Sequence, residues 1–296
     1  MSVACLAVVA LSTAGLNLAR SHHVYLVLSH YLGGRAGNCS LEESFQGEAL
    51  SRLQYTTVGE VRAASRIIRE DGRYAWWSTP EGEFWVPAAS GDAVMYDLGE
   101  QMRNIYGTGI RPGDIVLDAG ANVGVFTRKA LWAGAAKVIA IEPAPENLEC
   151  LRRNFAAEIA DGRVVVYPKG VWDKDDVLKL RVDPTDSARD TFVRQIENAQ
   201  LVEAKLTTID KLVAELKLPK VDFIKMDIEG AEQKAIVGAK KTIARFRPRM
   251  ALCVYHLKDD DVMVPKLVHD IVADYRVTQT CLCAPDRVQP EVAFFD

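Results

Sequence analysis

Residues 115–124 read IVLDAGANVG and residues 137–143 read KVIAIEP. Each begins as a short, almost wholly apolar run, the pattern of a strand buried on both faces of a parallel sheet. Between them VGVFTRKALWAGA, residues 123–135, carries helical spacing, so the stretch reads as one βαβ unit. The first strand ends in Asp118 and a turn bearing Gly120 and Gly124, and the second ends in Glu142. Glycines at a strand-to-helix junction allow tight turning and close backbone approach, and Asp118 is placed to fix the turn amides or the charged end of a ligand. An acidic residue closing the neighbouring strand can accept hydrogen bonds from the two hydroxyls of an adenosine ribose, which makes Glu142 the ribose candidate.

The same alternation continues downstream. A helix is expected over Asn147 to Ile159, with Leu148, Leu151 and Phe155 on one side, followed by the strand RVVVYPKGVW at 163–172. LKLRV at 178–182 reads as an extra strand, and DPTDSARD at 183–190 as a polar loop of the kind that borders a substrate site. A helix over Leu206 to Leu216, a strand in VDFIKMDIEG at 221–230, a helix over 231–246 and a strand RMALCVYH at 249–256 complete the pattern. Val262 to Asp274 suits a last helix, with final strands at Tyr275 to Cys283 and Val292 to Phe295. This rhythm predicts an α/β fold, a doubly wound, mostly parallel sheet with helices on both faces.

Upstream the pattern is different. Gly33, Gly34 and Gly37 break the chain, and Val61, Ala64, Ile67 and Ile68 suggest a helix from Glu60 to Asp71. RYAWWSTPEGEFWVPA at 73–88 alternates as a Trp-rich hairpin, and Asp97 to Ile105 reads as a short helix or turn. Val3 to Ala19 is apolar apart from Ser12, Thr13 and Asn17, just short of a membrane-spanning length, and lacks the preceding basic residues of a signal peptide. Packing as a helix and peripheral or anchored membrane contact through residues 3–32 are both compatible with it. The expected organisation is an apolar N-terminal segment over 1–32, an extension with helix and hairpin over 33–110, and the α/β domain over 111–296.

With 296 residues, 49% hydrophobic and 26% charged, the chain is an ordinary folded protein and not a disordered one. A formal charge of -4 gives no general attraction to nucleic acid, so none is expected as a partner. The six cysteines are spread along a chain that does not need staples, which predicts free thiols and a reducing, cytoplasmic setting for the catalytic part. Cys281 and Cys283 alternate as on one strand face, too sparse a pattern for a metal motif.

A dinucleotide site would show GxGxxG; the turn here is GANVG with an acid two positions before its first glycine, and there is no Walker run. That favours an adenosyl ligand without a pyrophosphate over a nicotinamide dinucleotide. VLDAGANVGVFTRKALWAGAAKVIAIEPAPENLECLRRN, with TTIDKLV and VDFIKMDIEGAEQKAIVGAKKTI further on, resembles the FkbM-family methyltransferase domain, and KMDIEGAE is its more characteristic block. The resemblance runs from about Arg111 to the C terminus and implies a class I, Rossmann-like fold with an antiparallel terminal strand. It implies S-adenosyl-L-methionine as cofactor, with Asp118, Gly120, Asn122, Gly124 and Glu142 on its methionine and ribose side. Val171 and Trp172 would lie near the adenine, and Asp227 next to the sulfonium and acceptor.

The implied reaction is methyl transfer, most often to a hydroxyl oxygen of a small-molecule, sugar or lipid-linked acceptor. N-methylation or a noncatalytic adenosyl-binding role would use the same fold. A hydroxyl needs its proton removed or strongly held, so carboxylates and histidine near the acceptor matter. Asp227, Glu229 and Glu232 cluster at the DIEGAE turn, and His256 at the edge of the next strand is the preferred general base, with Asp227 as the alternative. Lys225 alternates with Asp227 and suits pairing with a carboxylate or an anionic substrate. Glu229 and Glu232 equally suit first-turn electrostatics of the following helix. Asp227, Glu229 and His256 are acceptable metal ligands, but their spacing makes no specific metal motif and the resemblance does not require a metal, so none is expected. A homodimer is compatible with such an enzyme.

Overall fold

The computed structural model describes residues 22–296, so the apolar run at Val3 to Ala19 lies outside the described residues. Among the described residues no helix is long and apolar enough to cross a membrane. Two compact units are present, one joining residues up to Leu53 with Gln279–Glu291 and the other comprising Gln54–Thr278 with Val292–Asp296. They cut across the linear division at 32 and 110.

In the first unit, α1 (His22–Leu32) is followed by the start of α2 (Leu41–Ala64). Ser40 and Glu43 form a capping box: the Glu43 amide donates to Ser40 Oγ and the Ser40 amide to Glu43 Oε2, satisfying two donors that a helix start leaves open. Val27, Ala36, Cys39, Cys281, Cys283 and Val288 form a small buried cluster. Cys281 and Cys283 do share a buried side, but Cys39 and Cys281 are joined by a disulfide, so these two cysteines are not the free thiols expected. Cys150, Cys253 and Cys283 are free and buried.

The second unit opens with a three-stranded antiparallel sheet, β1 (Arg66–Asp71), β2 (Tyr74–Thr79) and β3 (Gly82–Pro87). The expected hairpin is present with one strand more. The helix stops at Ala64 instead of Asp71, because a two-residue turn pairs Asp71 with Tyr74 and sets the exposed β-branched Ile67 opposite Trp77, with Ile68 at a bulge. α3 (Gly91–Met102) follows, burying Val94, Met95 and Leu98 against β2 and β3 residues.

The main sheet then begins with β4 (Ile115–Ala119), α4 (Val125–Trp132), β5 (Lys137–Ile141), α5 (Pro145–Asn154), α6 (Ala156–Ala160) and β6 (Val164–Tyr167). All five residues of β4 are buried, which is why its sequence lacks alternation. A side sheet is built from β7 (Gly170–Val171), β8 (Asp176–Val182) and β9 (Gln200–Thr207), the last occupying residues where the predicted helix would have begun. α7 (Ile209–Glu215), β10 (Phe223–Met226), α8 (Glu232–Val237), α9 (Lys240–Phe246), β11 (Arg249–Cys253), α10 (Asp260–His269), β12 (Val277–Cys283) and β13 (Val288–Phe295) complete the chain. The expected helix over 231–246 is thus broken at Gly238.

The seven strands are ordered β12-β13-β11-β10-β4-β5-β6. β6, β5, β4, β10 and β11 are parallel, and β13 runs antiparallel to β11, as the resemblance implied. Strand order reverses at β4, where one connection leads to β5 and a later one to β10. The connections leaving the carboxyl ends of β4 and β10 therefore run to opposite sides of the sheet and open a crevice, the place where ligands bind in open sheets of this kind.

Candidate active site

Gly120 adopts φ +78°, and a Cβ there would lie 1.8 Å from the Asp227 carbonyl oxygen. Only glycine lets the end of β4 pass so close to the end of β10. The crevice beside this contact is lined by Gly120, Asn122, Glu142, Val171 and Asp227 together with Ser187, Asp190 and Phe192. Residues separated by more than a hundred positions thus meet in one place.

Glu142 directly follows β5. Its Oε2 accepts from the Asn122 amide at 2.9 Å and its Oε1 from the Ala144 amide at 2.8 Å. Burial pushes its carboxyl up to about 7, against the pull of those two amides. Asn122, with φ +49°, donates from Nδ2 to Asp97 Oδ2 at 3.0 Å. Asn122 Oδ1, Ser187 Oγ and Asp190 Oδ2 are buried without a hydrogen-bond partner, so polar capacity is left over along this wall.

Asp118 is not at the wall. Its side chain is fully buried beneath the turn, accepting from Thr127 Oγ1 at 2.6 Å and facing Lys225 Nζ at 3.3 Å. Lys225 donates to the Gly120 carbonyl at 2.7 Å, tying the turn to β10. Burial opposes its charge, but Asp118 and Asp227 outweigh that and hold the ammonium above its usual range. Gly124 packs against Phe155 and Leu151 and shapes the turn from behind. Trp172 turns away to meet Phe192 edge-on at 6.4 Å and Lys234, and Phe192 takes the place at the crevice wall.

Asp227 is the hub of the second half of the site. Tyr106 donates its hydroxyl hydrogen to Asp227 Oδ2 at 2.5 Å. Burial would raise the Asp227 carboxyl, but Lys225 and His256 override it and hold it below the usual range. β11 ends at Cys253, so His256 lies in the loop beyond the strand instead of ending it. Its side chain is fully buried, with Nδ1 2.9 Å from Glu232 Oε1. Glu232 in turn accepts from the amides of Ile228 and Gly230, bracing the turn between β10 and α8. Burial disfavours charge on His256, yet Glu232, Glu229 and Asp227 prevail and hold it well above its usual range. An imidazolium donates protons and cannot accept one, so this ring is unsuited to act as a general base at neutral pH. Glu229, with φ +58°, pairs through Oε2 with Arg194 Nη2 at 2.6 Å.

The residues from Asp118 to Tyr275, more than half of the chain, match the FkbM domain of methyltransferases. The chain belongs to the FkbM methyltransferase family. Among its curated relatives is the 31-O-demethyl-FK506 methyltransferase FkbM of Streptomyces tacrolimicus, 26% identical over 163 residues that cover 46% of this chain and 63% of the relative. Another is the hexuronic acid methyltransferase AglP of Haloferax volcanii, 24% identical over 166 residues that cover 56% of this chain and 66% of the relative. The FkbM-family chain therefore spans less than two thirds of either relative's length. A crystal structure of methyltransferase FkbM from Methylobacillus flagellatus KT is 21% identical, covers 71% of this chain and 56% of that one, and gives a TM-score of 0.47.

This FkbM-family site also holds residues that the sequence did not single out. Asp97 on α3 lines a cavity of about 280 Å³ with Glu100, Asp186, Arg189, Arg194, Asp227, Glu229 and Tyr255. Burial, with help from Asp186 and Asp227, pushes its carboxyl up to about 8. Asp190 is raised to about 8 by burial, against a hydrogen bond from the Asp183 amide. The helical pattern around Asp97 gave no sign that this one polar position faced the crevice. Ser187 and Asp190 come from the polar loop at 183–190 expected to border a substrate, and Phe192 and Arg194 from just beyond it, without any motif to mark them individually.

Proposed function

We propose that this chain transfers a methyl group from S-adenosylmethionine to a hydroxyl oxygen of a small-molecule, sugar or lipid-linked acceptor. The observation that carries this reading is the meeting of Gly120, Asn122, Glu142, Val171 and Asp227 along one crevice. The leftover polar atoms of Asn122, Ser187 and Asp190 fit an adenosyl ligand rich in hydroxyl and amino groups. S-adenosylmethionine would supply an electrophilic methyl group on a sulfonium. Glu142 would accept from the ribose hydroxyls, Val171 and Phe192 would bracket the base, and the Asp227 carboxylate would lie on the side of positive charge.

The acceptor enters through the cavity shared by Asp97, Asp227 and Glu229. Asp227, held from behind by Tyr106, orients the acceptor hydroxyl. Asp97 takes its proton through its ionised fraction, which grows as pH rises through about 8, whereas the imidazolium of His256 keeps its proton well beyond the usual histidine range. Methyl transfer then depends on alignment more than on further chemistry. The relatives named for O-demethylated FK506 and for hexuronic acid support oxygen acceptors of this kind.

The test is incubation with isotopically labelled S-adenosylmethionine and a library of hydroxyl metabolites, with mass spectrometry locating the added methyl. Binding of S-adenosylmethionine and S-adenosylhomocysteine, but not NAD, should be seen by calorimetry. Binding of NAD alone would refute the proposal.

A further inference from the structure

Three donor atoms converge beside the acceptor cavity. His256 Nε2 lies 3.3 Å from Asp227 Oδ1 and 3.3 Å from Glu229 Oε1, and a donor atom from each of the three residues lies within 4.8 Å of the others. The His256 side chain is fully buried, and its Nε2 has no hydrogen-bond partner; the two carboxylates are near but misaligned for one. Asp227 Oδ1 is likewise buried without a hydrogen bond.

The opposite atom of each group is held from behind. Tyr106 engages Asp227 Oδ2, Arg194 engages Glu229 Oε2, and Glu232 engages His256 Nδ1. Glu232 is itself fixed by two backbone amides. A metal ion binding here would displace the Nε2 proton of the imidazolium, so that Nδ1–H stays on Glu232 and the freed Nε2 lone pair faces the metal alongside two carboxylate oxygens. Ligands bonded at about 2.1 Å lie roughly 3.0 to 3.4 Å apart for octahedral to tetrahedral angles, and both distances from Nε2 fall in that interval. A carboxylate orienting a ligating histidine through its other nitrogen is the usual support of a bound metal ion.

We infer that Asp227, Glu229 and His256 form a binding site for one divalent transition-metal ion of the Mn²⁺ or Zn²⁺ type. One imidazole with two carboxylates suits these ions. Asp227 and Glu229 also line the acceptor cavity, so the remaining coordination positions open toward oxygen atoms of a bound acceptor. The metal site stands on these residues alone, whereas its use in acceptor binding rests on the methyltransferase reading.

The experiment uses the full chain, stripped with chelator and titrated with MnCl₂ in the absence of S-adenosylmethionine and acceptor, so that its outcome is independent of methyl transfer. Room-temperature electron paramagnetic resonance should give one saturable site per chain, and pulsed measurements should detect ¹⁴N coupling from an imidazole. Glu232→Gln should weaken binding about 10- to 100-fold, and His256→Ala should remove the nitrogen coupling. Circular dichroism verifies that the variants fold, and the nitrogen signal in the unmutated chain decides the matter if they do not. Absence of saturable binding, or a bound Mn²⁺ without nitrogen coupling, would overturn the inference.

Discussion

The hydroxyl of Tyr106 donates to Asp227 Oδ2 at 2.5 Å, joining the loop after α3 to the carboxyl end of β10. Burial and the neighbouring Asp227 charge keep the Tyr106 hydroxyl protonated far above neutral pH, so the bond persists throughout the working range. Hydrogen bonds to charged groups contribute about 1.5 to 3 kcal/mol. Tyr106→Phe should therefore lower kcat roughly 10- to 100-fold while leaving the Kd for S-adenosylmethionine within about threefold of the parent. Equal losses in both would place Tyr106 in cofactor binding instead.

Glu142 gives a pH signature of cofactor binding. Its carboxyl titrates at about 7 in the folded protein, so the charged acceptor is complete only above neutral pH. Affinity for S-adenosylmethionine should strengthen between pH 6 and pH 8. Glu142→Gln should weaken it about tenfold and flatten the profile. Calorimetry at several pH values reads both, and a pH-independent Kd in the unmutated chain would count against Glu142 as the ribose acceptor.

Asp97 should trade stability for activity. Its carboxyl rises from an ordinary 3.8 to about 8 on folding, so its contribution is fully present below pH 4 and is lost as pH climbs toward 8. Asp97→Asn removes that loss. Each pKa unit is worth about 1.4 kcal/mol, so the variant should be more stable than the parent by on the order of 1 kcal/mol or more at pH 8. Turnover should fall at least about 100-fold, the smaller end of what a positioned base supplies. Urea titrations at pH 5 and pH 8 with parallel rate measurements decide both halves.

The crevice beneath Ser187, Asp190 and Phe192 encloses only about 50 Å³. Ligand pockets commonly hold about 300 to 1,000 Å³, so the segment over these residues must shift outward to admit an adenosyl group and then settle on it. Arg189, with its side chain about half exposed, is an accessible trypsin site on that segment. S-adenosylhomocysteine should slow cleavage there severalfold, measured by the rate of fragment appearance. An unchanged rate under saturating ligand would reject the movement.

The sheet was legible in the sequence because its central strands are buried on both faces, and Ile115 to Ala119 or Phe223 to Met226 can hardly be read otherwise. The crevice residues on strand ends, Gly120, Glu142 and Asp227, were legible for the same reason. Arg66 to Asp71 misled because isoleucines spaced for a helix were in fact exposed on a hairpin strand, where pairing with β2 overrides local spacing. His256 was placed at the correct edge, but its three carboxylate neighbours, which set its charge, arrive from a different turn. Asp97 was invisible because its environment is made by residues distant in sequence, Asn122, Asp186 and Asp227.

The Cys39–Cys281 bond spans 242 positions, so it closes a covalent ring that contains Arg189. A loop of that size stabilises by about 5 kcal/mol in the chain-entropy account. A single peptide-bond cut at Arg189 opens the ring without releasing either piece. Nicked molecules would run as one species on a gel until dithiothreitol is added, and then as two.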